Sequence, residues 1–562
     1  MLNHHFRSAY RSLLRHKSTF TINLLSLTVG LSCAIFIFLW VNDEWQVDKF
    51  HRHDAELFQV MKHAQYSEGV QTKFHTMGPL AETLKRELPE VQRAATVVYW
   101  FTEFDLAVNE KNTTAAGYYA GVDFLDMFSF NLEGGTAAEV FKDLNNVALS
   151  REAAIKLFGT AEAAMGQTVE LNRNESFKVT GLFDVPERST QQFDFVLSFE
   201  KFKQDPRFGA RMENWNSHGP KTFVQLQPSA NLTAVEAKMN EIIHTRADAD
   251  HITFFFKPFS EQYLYAQYEA GKLVGGRIDY VQLFGVIGLF ILAIACINFI
   301  NLATARASLR AKEVSIKKMM GAKRSSLITQ YLAEALVITS LALVIAVGIV
   351  YLFLPDFNTL TGKTIALSFS PTWMLAGLGL VGITGLLAGT YPAFYLSAIQ
   401  PIKGIKGFMQ RSWQELMIRK GLVVFQFSIA IGLIISVLVI SQQMDYLQNK
   451  SLGYDRSHLV SFLMNIRDHE KLNAFVKEAR KLPGVENISS GNSPINHCNR
   501  TTNISWDGKD PASDISFYFF NAAEGLTETL GFEFLQGRSF SPEFGNETEK
   551  VILNETAVAT IG

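Results

Sequence analysis

The chain has 562 residues, of which 48% are hydrophobic, and a formal net charge of −2. This charge excludes the positive field of a nucleic-acid-binding protein, so no nucleic-acid partner is expected. The mean hydropathy of +0.08 favours a few fully apolar spans diluted by large polar domains. The three cysteines, Cys33, Cys296 and Cys498, have no motif spacing and are expected to stay unpaired.

Residues 1–19 are predicted to form a cytoplasmic amphipathic helix. One face carries the apolar residues Leu2, Phe6, Ala9, Tyr10, Leu13 and Leu14, and the opposite face carries Arg7, Arg11 and Arg15. Such opposed faces are typical of a helix lying along a membrane surface, so contact with the lipid of the inner leaflet is expected.

Five apolar stretches are long enough to cross a hydrocarbon core, which takes about 20 residues. They run approximately over Phe20–Val41, Tyr280–Ala303, Leu327–Leu354, Trp373–Ile399 and Gly421–Ile440. The first and fifth membrane helices are assigned to 20–42 and 420–442. The first stretch is not a cleaved secretion signal, because Asn42-Asp43-Glu44-Trp45 follows it where a cleavage site would need small residues.

The charges between these stretches predict one orientation. The loop 304–326 carries seven basic residues against Glu313, and the loop 400–420 carries five against Glu415. Both loops are therefore expected in the cytoplasm. This topology exports residues 43–279, the loop 355–372 and the chain after about 443, as in a multi-pass membrane protein.

The exported residues 43–279 alternate β-rich runs with amphipathic helical patterns, which indicates an α+β domain. Strands are expected at Glu175–Phe183, Thr222–Leu226 and Ile252–Phe256, and helices at Pro79–Leu88, Ser150–Phe158 and Thr233–Ile243. In the last helix Thr233 comes three residues before Glu236, which is the spacing of a capping box.

Motifs for catalysis are missing from the sequence. It contains no GxSxG, HExxH or Walker-type phosphate loop, so no catalytic residue and no cofactor are expected. His51 and His53 could be two metal ligands, but no third ligand follows at a recognisable spacing, and a role without metal is favoured.

Two features inside the predicted spans indicate helix packing. Gly382, Gly385 and Gly389 lie along one side of the fourth span, and the last two form a GxxxG match, which favours close approach of helices. Glu334 in the third span must face protein or water, and a structural hydrogen bond is favoured over an ion pathway.

An internal repeat is predicted from four ordered matches. Thr28–Leu31 with Asp43 aligns with Ala430–Leu433 with Asp445, Leu88–Val91 with Leu482–Val485, Ser129–Gly135 with Gly531–Gly537, and Val147–Ser150 with Val551–Asn554. The repeating module is one anchor helix, one exported domain and three membrane helices. Residues 443–562 are then the incomplete start of a second exported domain, and a complete chain is expected to have about 800 residues.

The sequence resembles the MacB/FtsX-like ABC transporter permeases, in the tandem-repeat form of Bacteroidetes type. The resemblance is carried by Ala295–Arg306, Arg310–Lys323, Gln330–Glu334, Tyr391–Phe394 with Pro401, and Val185–Ser189 with Phe193–Phe195. It implies an α-helical transmembrane protein with inserted α+β extracytoplasmic domains of the MacB-like periplasmic core type. Residues 43–279 would be the first such domain, and 280–410 an FtsX-like three-helix membrane domain.

The resemblance also implies that the loop after the second span is a coupling helix for a separate ATPase. Leu309, Ile316 and Met320 form a narrow apolar stripe. Glu313 can pair with Lys317, and Gly321 can end the helix. The expected ATPase-coupling residues are Arg310, Lys312, Glu313, Ile316, Lys317, Lys318, Met320 and Gly321. From the residues alone, a basic loop lying on anionic lipid is an equal alternative.

The expected function is therefore that of a permease subunit without catalytic activity, which couples ATP hydrolysis to motion of its periplasmic domains. Family members use such motion for export, for extraction of lipoproteins or for activation of a periplasmic hydrolase. Expected partners are an ABC ATPase that binds the ATP, membrane lipid and a periplasmic adaptor or hydrolase. The transport unit would form by pairing of repeats within one chain or as a homodimer. The alternative function is a membrane-anchored ligand sensor.

Overall fold

The computed structural model describes residues 17–66, 69–100, 104–305, 307–368, 370–398, 413–454, 456–462, 469–493, 495, 498–501, 504–509, 515, 517–545 and 547–562. The predicted N-terminal amphipathic helix lies almost wholly outside these residues. The chain divides into two compact units. We call Met1–Val47, Tyr263–Tyr265 and Gly275–Met444 the helical unit, and Asp48–Gln262, Ala266–Val274 and Asp445–Gly562 the sheet unit.

The helical unit contains the predicted membrane spans. Its described helices are α1 (Lys17–Trp45), α9 (Arg277–Ala305), α10 (Ala307–Met319), α11 (Arg324–Thr361), α12 (Pro371–Ala398) and α13 (Trp413–Asn449). All but α10 contain a segment long and apolar enough to cross a membrane, so the five predicted spans are confirmed among the described residues. The apolar runs explain the length of these helices, since internal hydrogen bonding satisfies a backbone in lipid.

Small residues set the packing of α1 against α9 and of α11 against α12. A Cβ on Gly30 would lie 2.5 Å from the Cβ of Ala295, and a Cβ on Gly389 would lie 2.6 Å from that of Ala335. Gly385 is similarly close to Leu336, whereas a Cβ on Gly382 would meet nothing within 4 Å. The predicted GxxxG contact is thus confirmed for Gly385 and Gly389, but Gly382 lies off it.

The sheet unit is built from short strands and helices. The strands are β1 (Leu57–Tyr66), β2 (Gly69–Lys73), β3 (Val91–Val98), β4 (Phe104–Val108), β5 (Lys111–Ala115), β6 (Gly117–Ala120), β7 (Asn146–Ser150), β8 (Thr168–Leu171), β9 (Glu175–Phe183), β10 (Phe195–Ser198), β11 (Lys221–Leu226), β12 (Ile252–Pro258), β13 (Gln267–Glu269), β14 (Lys272–Gly275), β15 (Asn499–Thr501) and β16 (Phe517–Phe519). The helices are α2 (Leu80–Glu87), α3 (Phe124–Met127), α4 (Ala137–Val140), α5 (Arg151–Phe158), α6 (Phe199–Phe202), α7 (Gly209–Glu213), α8 (Leu232–His244), α14 (His469–Ala479), α15 (Leu526–Thr529) and α16 (Glu555–Ile561).

Twelve of the described strands form one mixed sheet in the order β12-β1-β11-β3-β6-β10-β7-β9-β8-β4-β5, with β2 paired to β1. Most neighbours are antiparallel, but β6 and β10 run parallel, as do β7 and β9. At one end of the sheet α2 and α8 pack on β1, β11 and β12. At the other end α5 packs on the strands around β7 and β9. The predicted α+β domain is therefore confirmed.

The predicted capping box of α8 is wrong. Asn231 is the N-cap, and its side chain accepts a hydrogen bond from the backbone N–H of Ala234 at 3.2 Å. Glu236 accepts from the backbone N–H of Phe256 at 2.8 Å. Asparagine is as good a cap as threonine, and the edge of β12 gives the glutamate a donor outside its own helix.

Residues 490–557 repeat several backbone contacts of residues 96–153. The N–H of Gly121 bonds the carbonyl of Thr96, and that of Ala523 bonds Ser490. Helix α15 begins 402 residues after α3. The side chains of Ser150 and Asn554 cap α5 and α16 by accepting from the backbone N–H three residues later. These matched contacts support the prediction of an internal repeat.

Candidate functional site

The predicted coupling helix is α10, which follows the second membrane helix. Its C-terminus is closed by a Schellman motif, in which the N–H of Ala322 bonds the carbonyl of Lys317 and that of Gly321 bonds Lys318, both at 3.0 Å. Gly321 has a φ of +90°, which disfavours residues with a Cβ. The prediction that Gly321 ends this helix is confirmed. The motif fixes the backbone conformation at the C-terminus of α10.

The tip of α10 exposes apolar side chains. Ile316, Met319 and Met320 are 51%, 59% and 83% exposed. The buried side of the helix is formed by Val314 and Ser315. Val314 packs into a small core with Leu327, Tyr331, Ala393 and Leu396 of the third and fourth membrane helices. The predicted stripe is thus the outward face of α10, extended by Met319, while Leu309 and Arg310 have side chains outside the described part.

A chain of polar contacts joins α10 to α11. The ammonium of Lys317 donates to Glu313 Oε1 at 2.7 Å and to Gln330 Oε1 at 3.1 Å. The amide of Gln330 donates in turn to Glu334 Oε1 at 3.2 Å. The predicted pair of Glu313 and Lys317 is confirmed, and Glu334 is buried and hydrogen-bonded, as the structural interpretation expected. Lys312 is exposed and Lys318 is half-buried.

A second polar cluster lies at the opposite end of the membrane helices. Glu44, at the end of α1, accepts from Arg277, the first residue of α9, through Nε at 2.6 Å and Nη2 at 3.1 Å. Lys363, just after α11, lies 3.1 Å from the same carboxylate and 3.0 Å from Asp43. Tyr263 also hydrogen-bonds Glu44. This cluster, which we call the outer clamp, ties three membrane helices together.

Sequence reasoning missed the outer clamp. Glu44 serves there only to exclude a signal peptide, Asp43 serves for that and for the internal repeat, and Arg277 and Lys363 are not singled out. A usable signal was present, since all four charges flank predicted spans on the exported side, where two acids and two bases can neutralise each other. The charge pattern could not predict which acid pairs with which base, because the pairing depends on which helix ends are neighbours in the fold.

The two histidines considered as metal ligands have other contacts. His51 is buried among Phe50, Phe128 and Phe130, and its Nδ1 contacts the backbone carbonyl of Phe128. His53 Nδ1 lies 3.1 Å from Glu56. In the part of the chain that the structure describes, no group of three or more metal-ligating side chains is found.

Two families match most of this architecture. Residues 20–242 match the MacB-like periplasmic core domain, and residues 285–401 match the C-terminal domain of FtsX-like permeases. The first match covers α1 and most of the large sheet. The second covers α10, α11 and α12 together with the greater part of α9, and therefore contains the candidate coupling helix.

Individual relatives and one solved structure are similar to parts of this chain. An uncharacterized ABC transporter permease of Bacillus subtilis, YvrN, is 22% identical over 435 residues, which cover 72% of this chain and 99% of that protein. The macrolide export ATP-binding/permease protein MacB of Bdellovibrio bacteriovorus is 22% identical over 265 residues, 45% of this chain and 37% of the relative. The chain thus spans nearly all of the first relative but little more than a third of the second. The crystal structure of the periplasmic region of MacB from Actinobacillus actinomycetemcomitans is 19% identical, with a TM-score of 0.27. This match covers 36% of the present chain and 89% of the MacB chain.

Proposed function

Because the chain belongs to the MacB/FtsX-like ABC transporter permeases, we propose that it is a membrane subunit on which a separate ATPase docks through α10. It is a multi-pass protein of the bacterial inner membrane with periplasmic domains. ATP would be bound by the partner, and the permease would contribute no catalytic residue. The observation that carries the proposal is the exposed apolar tip of α10, formed by Ile316, Met319 and Met320.

The geometry of α10 suits a docking element. When a partner covers exposed apolar side chains, the complex is stabilised by roughly 25 cal/mol per Å² of apolar surface removed from water. The Val314 contact and the Schellman motif at Gly321 hold the helix in place. A preformed surface loses little conformational entropy on binding, so little of the binding free energy is spent on ordering it.

We propose that closure of the ATPase is transmitted along α11. At the docking end, the contacts from Lys317 through Gln330 to Glu334 join α10 to α11. At the far end, Lys363 joins the segment after α11 to Glu44 of α1. A displacement of α10 would therefore move the outer ends of the membrane helices. That motion would serve export, extraction of lipoproteins or activation of a periplasmic partner.

The test is co-purification from native membranes with a Walker-motif ATPase, identified by mass spectrometry and ATP turnover. Replacing Ile316 and Met320 together by serine should abolish co-purification while membrane insertion is unchanged. Leu360→Ser is the matched control, because Leu360 is 84% exposed near the other end of α11. Retention of the ATPase by the double variant at the wild-type ratio would contradict the docking surface. If no ATPase co-purifies with the wild type, the ligand-sensor alternative is favoured.

A further inference from the structure

Positively charged side chains face each other at one end of the large sheet. Lys62 of β1 and Lys73 of β2 are directly opposite each other in the antiparallel register. Like charges in this arrangement destabilise a strand pair. Lys73 also lies over the ring of Tyr66, at 5.2 Å from its centroid. Two lysines therefore lie opposite each other at a cross-strand position where a lysine and a carboxylate would stabilise the pair.

Lys62 is moreover a core-facing residue. Val60 and Ala64, two positions before and after it, belong to the apolar core under α2 and α8. Lys62 itself is only 4% exposed. Its ammonium lies 2.7 Å from Nδ1 of His218, which must accept because an ammonium can only donate. A neutral imidazole cannot neutralise the charge of the lysine.

Two further basic residues complete this group. His75 Nε2 lies 3.0 Å from the hydroxyl of Tyr99. Lys221 places its ammonium 4.0 Å from the centroid of the Tyr99 ring and 5.1 Å from that of Phe74. We call Lys62, Lys73, His75, His218 and Lys221 the basic cluster. Its members come from β1, β2, β11 and the segments before α2 and β11, so the fold has brought them together from distant positions.

Five other lysines of the same unit have a carboxylate partner. Lys85 pairs with Asp123, Lys156 with Glu152, Lys201 with Glu175, Lys203 with Glu200 and Lys238 with Glu90. In the described ranges, by contrast, no aspartate or glutamate contacts Lys62 or Lys221. Burial lowers the pKa of Lys62 to about 7 and that of Lys221 to about 8. Burying a charge without a counter-charge costs free energy, which a bound anion would recover.

We propose that the basic cluster is a binding site for an oxyanion, a phosphate or carboxylate group of a soluble molecule on the periplasmic side. Lysine ammonium groups bind such groups as point charges, without the fixed geometry that an arginine fork requires. The rings of Phe74 and Tyr99 hold the ammonium of Lys221 in place through cation–π contacts. The site is independent of the ATPase surface on α10, so either proposal can fail alone.

The chemistry of the cluster determines how binding should depend on pH. Burial, together with neighbouring lysines, lowers the pKa of both His75 and His218 to about 4. The histidines are therefore uncharged at neutral pH, where the positive charge comes from the lysines and Lys62 is only partly protonated. Binding of a carboxylate such as acetate, whose charge is constant between about pH 9 and about pH 6, should strengthen as the pH falls through this range, because Lys62 and Lys221 then become largely protonated.

The experiment is isothermal titration calorimetry of the full chain in detergent with inorganic phosphate, with chloride added to hold the ionic strength constant. Saturable binding by the wild type is expected, weakened about tenfold or more by Lys62→Met and by Lys221→Gln. Lys238→Gln, which removes a lysine paired with Glu90, should bind like the wild type. Lys221 is only half-buried, so its variant remains informative if Lys62→Met does not fold.

Each outcome has a defined meaning. Absence of saturable binding by the wild type to phosphate and to acetate would overturn the proposal, as would equal affinity in all three variants. Titration in nanodiscs with and without phosphatidylglycerol distinguishes the source of the oxyanion. Competition of this lipid with phosphate at the cluster would contradict a soluble ligand, and undiminished phosphate binding would support it.

Discussion

Arg277 and Glu44 are 233 residues apart in the sequence and form a two-point ion pair, with Nε to Oε2 at 2.6 Å and Nη2 to Oε1 at 3.1 Å. The carboxylate is fully buried, whereas the guanidinium is 47% exposed. The guanidinium also lies over the ring of Tyr263, at 4.8 Å from its centroid. The pair joins the end of the first membrane helix to the start of the second. Most of the sheet unit lies between these two residues in the sequence.

We predict that the two residues of this ion pair contribute unequally to the stability of the helical unit. Glu44→Gln should destabilise the helical unit by about 3 kcal/mol, because it leaves Arg277 and Lys363 without their shared buried counter-charge. Arg277→Gln should cost less, about 1 kcal/mol, since the exposed guanidinium is screened by water and Lys363 still neutralises Glu44. Thermal denaturation in detergent measures both. Asp356→Asn, at an exposed position on α11, is the control, and equal losses for the two clamp variants would refute the asymmetry.

We predict opposite effects of alanine at two glycines of α12. At Gly389 the new Cβ would lie 2.6 Å from Ala335, so Gly389→Ala should push α11 and α12 apart and cost about 1–3 kcal/mol. At Gly382 nothing lies within 4 Å, and alanine should be neutral or stabilising by up to about 1 kcal/mol through its higher helix propensity. The thermal midpoint of Gly389→Ala should therefore lie below that of the wild type, and the midpoint of Gly382→Ala at or above it. A lower midpoint for Gly382→Ala than for Gly389→Ala would be incompatible with this packing.

Structure could be predicted from the sequence wherever a regular local pattern determines it. The five spans follow from apolar length, and β9 occupies the predicted Glu175–Phe183 because alternation and bounding polar residues mark both ends. The pair of Glu313 and Lys317 and the stop at Gly321 follow from spacing within one helix. All of these are local features, in which the interacting residues are close in the sequence.

The remaining contacts join distant segments, and no local pattern selects them. Val314 is the anchor of α10, yet its side of the helix otherwise offers only the small side chains of Ala307 and Ala311, which are too weak a signal to predict a buried face. The sequence spacing predicts a capping box for Glu236 within α8, but the carboxylate accepts instead from the backbone N–H of Phe256 in β12. Lys62 could be recognised as core-facing only after the register of β1 against β2 and β12 was known.

We predict that Lys317 transmits motion and contributes little to docking. Lys317→Met removes the bonds to Glu313 and Gln330 but leaves Ile316 and Met320 exposed. The ATPase should therefore still co-purify, while stimulation of its turnover by the permease falls several-fold. Gln330→Leu should reproduce this effect, and Lys323→Met, at the exposed N-cap of α11, should not. If Lys317→Met instead releases the ATPase, the lysine belongs to the docking surface and the role assigned to the polar chain is incorrect.

We predict that the sheet unit loses stability as the pH falls from about 6.5 to about 4. Burial lowers the pKa of His51, His75 and His218 to about 4 in the folded state. In the unfolded state their pKa is about 6.5, so within this window the unfolded state binds more protons and acid favours it. Asp48 opposes the trend, because burial raises its pKa to about 6, and a folded state that binds a proton more readily is favoured by acid.

With three histidines against one aspartate, the net slope should follow the histidines. Thermal unfolding followed by tryptophan fluorescence at pH 6.5 and pH 4.5 measures it, since Trp100 and Trp215 both lie in this unit. Asp48→Asn should make the loss on acidification steeper, because it removes the opposing group, and His51→Gln should make it shallower. A midpoint that rises on acidification, or a slope insensitive to His51→Gln, would mean that these buried histidines do not control the acid stability of the unit.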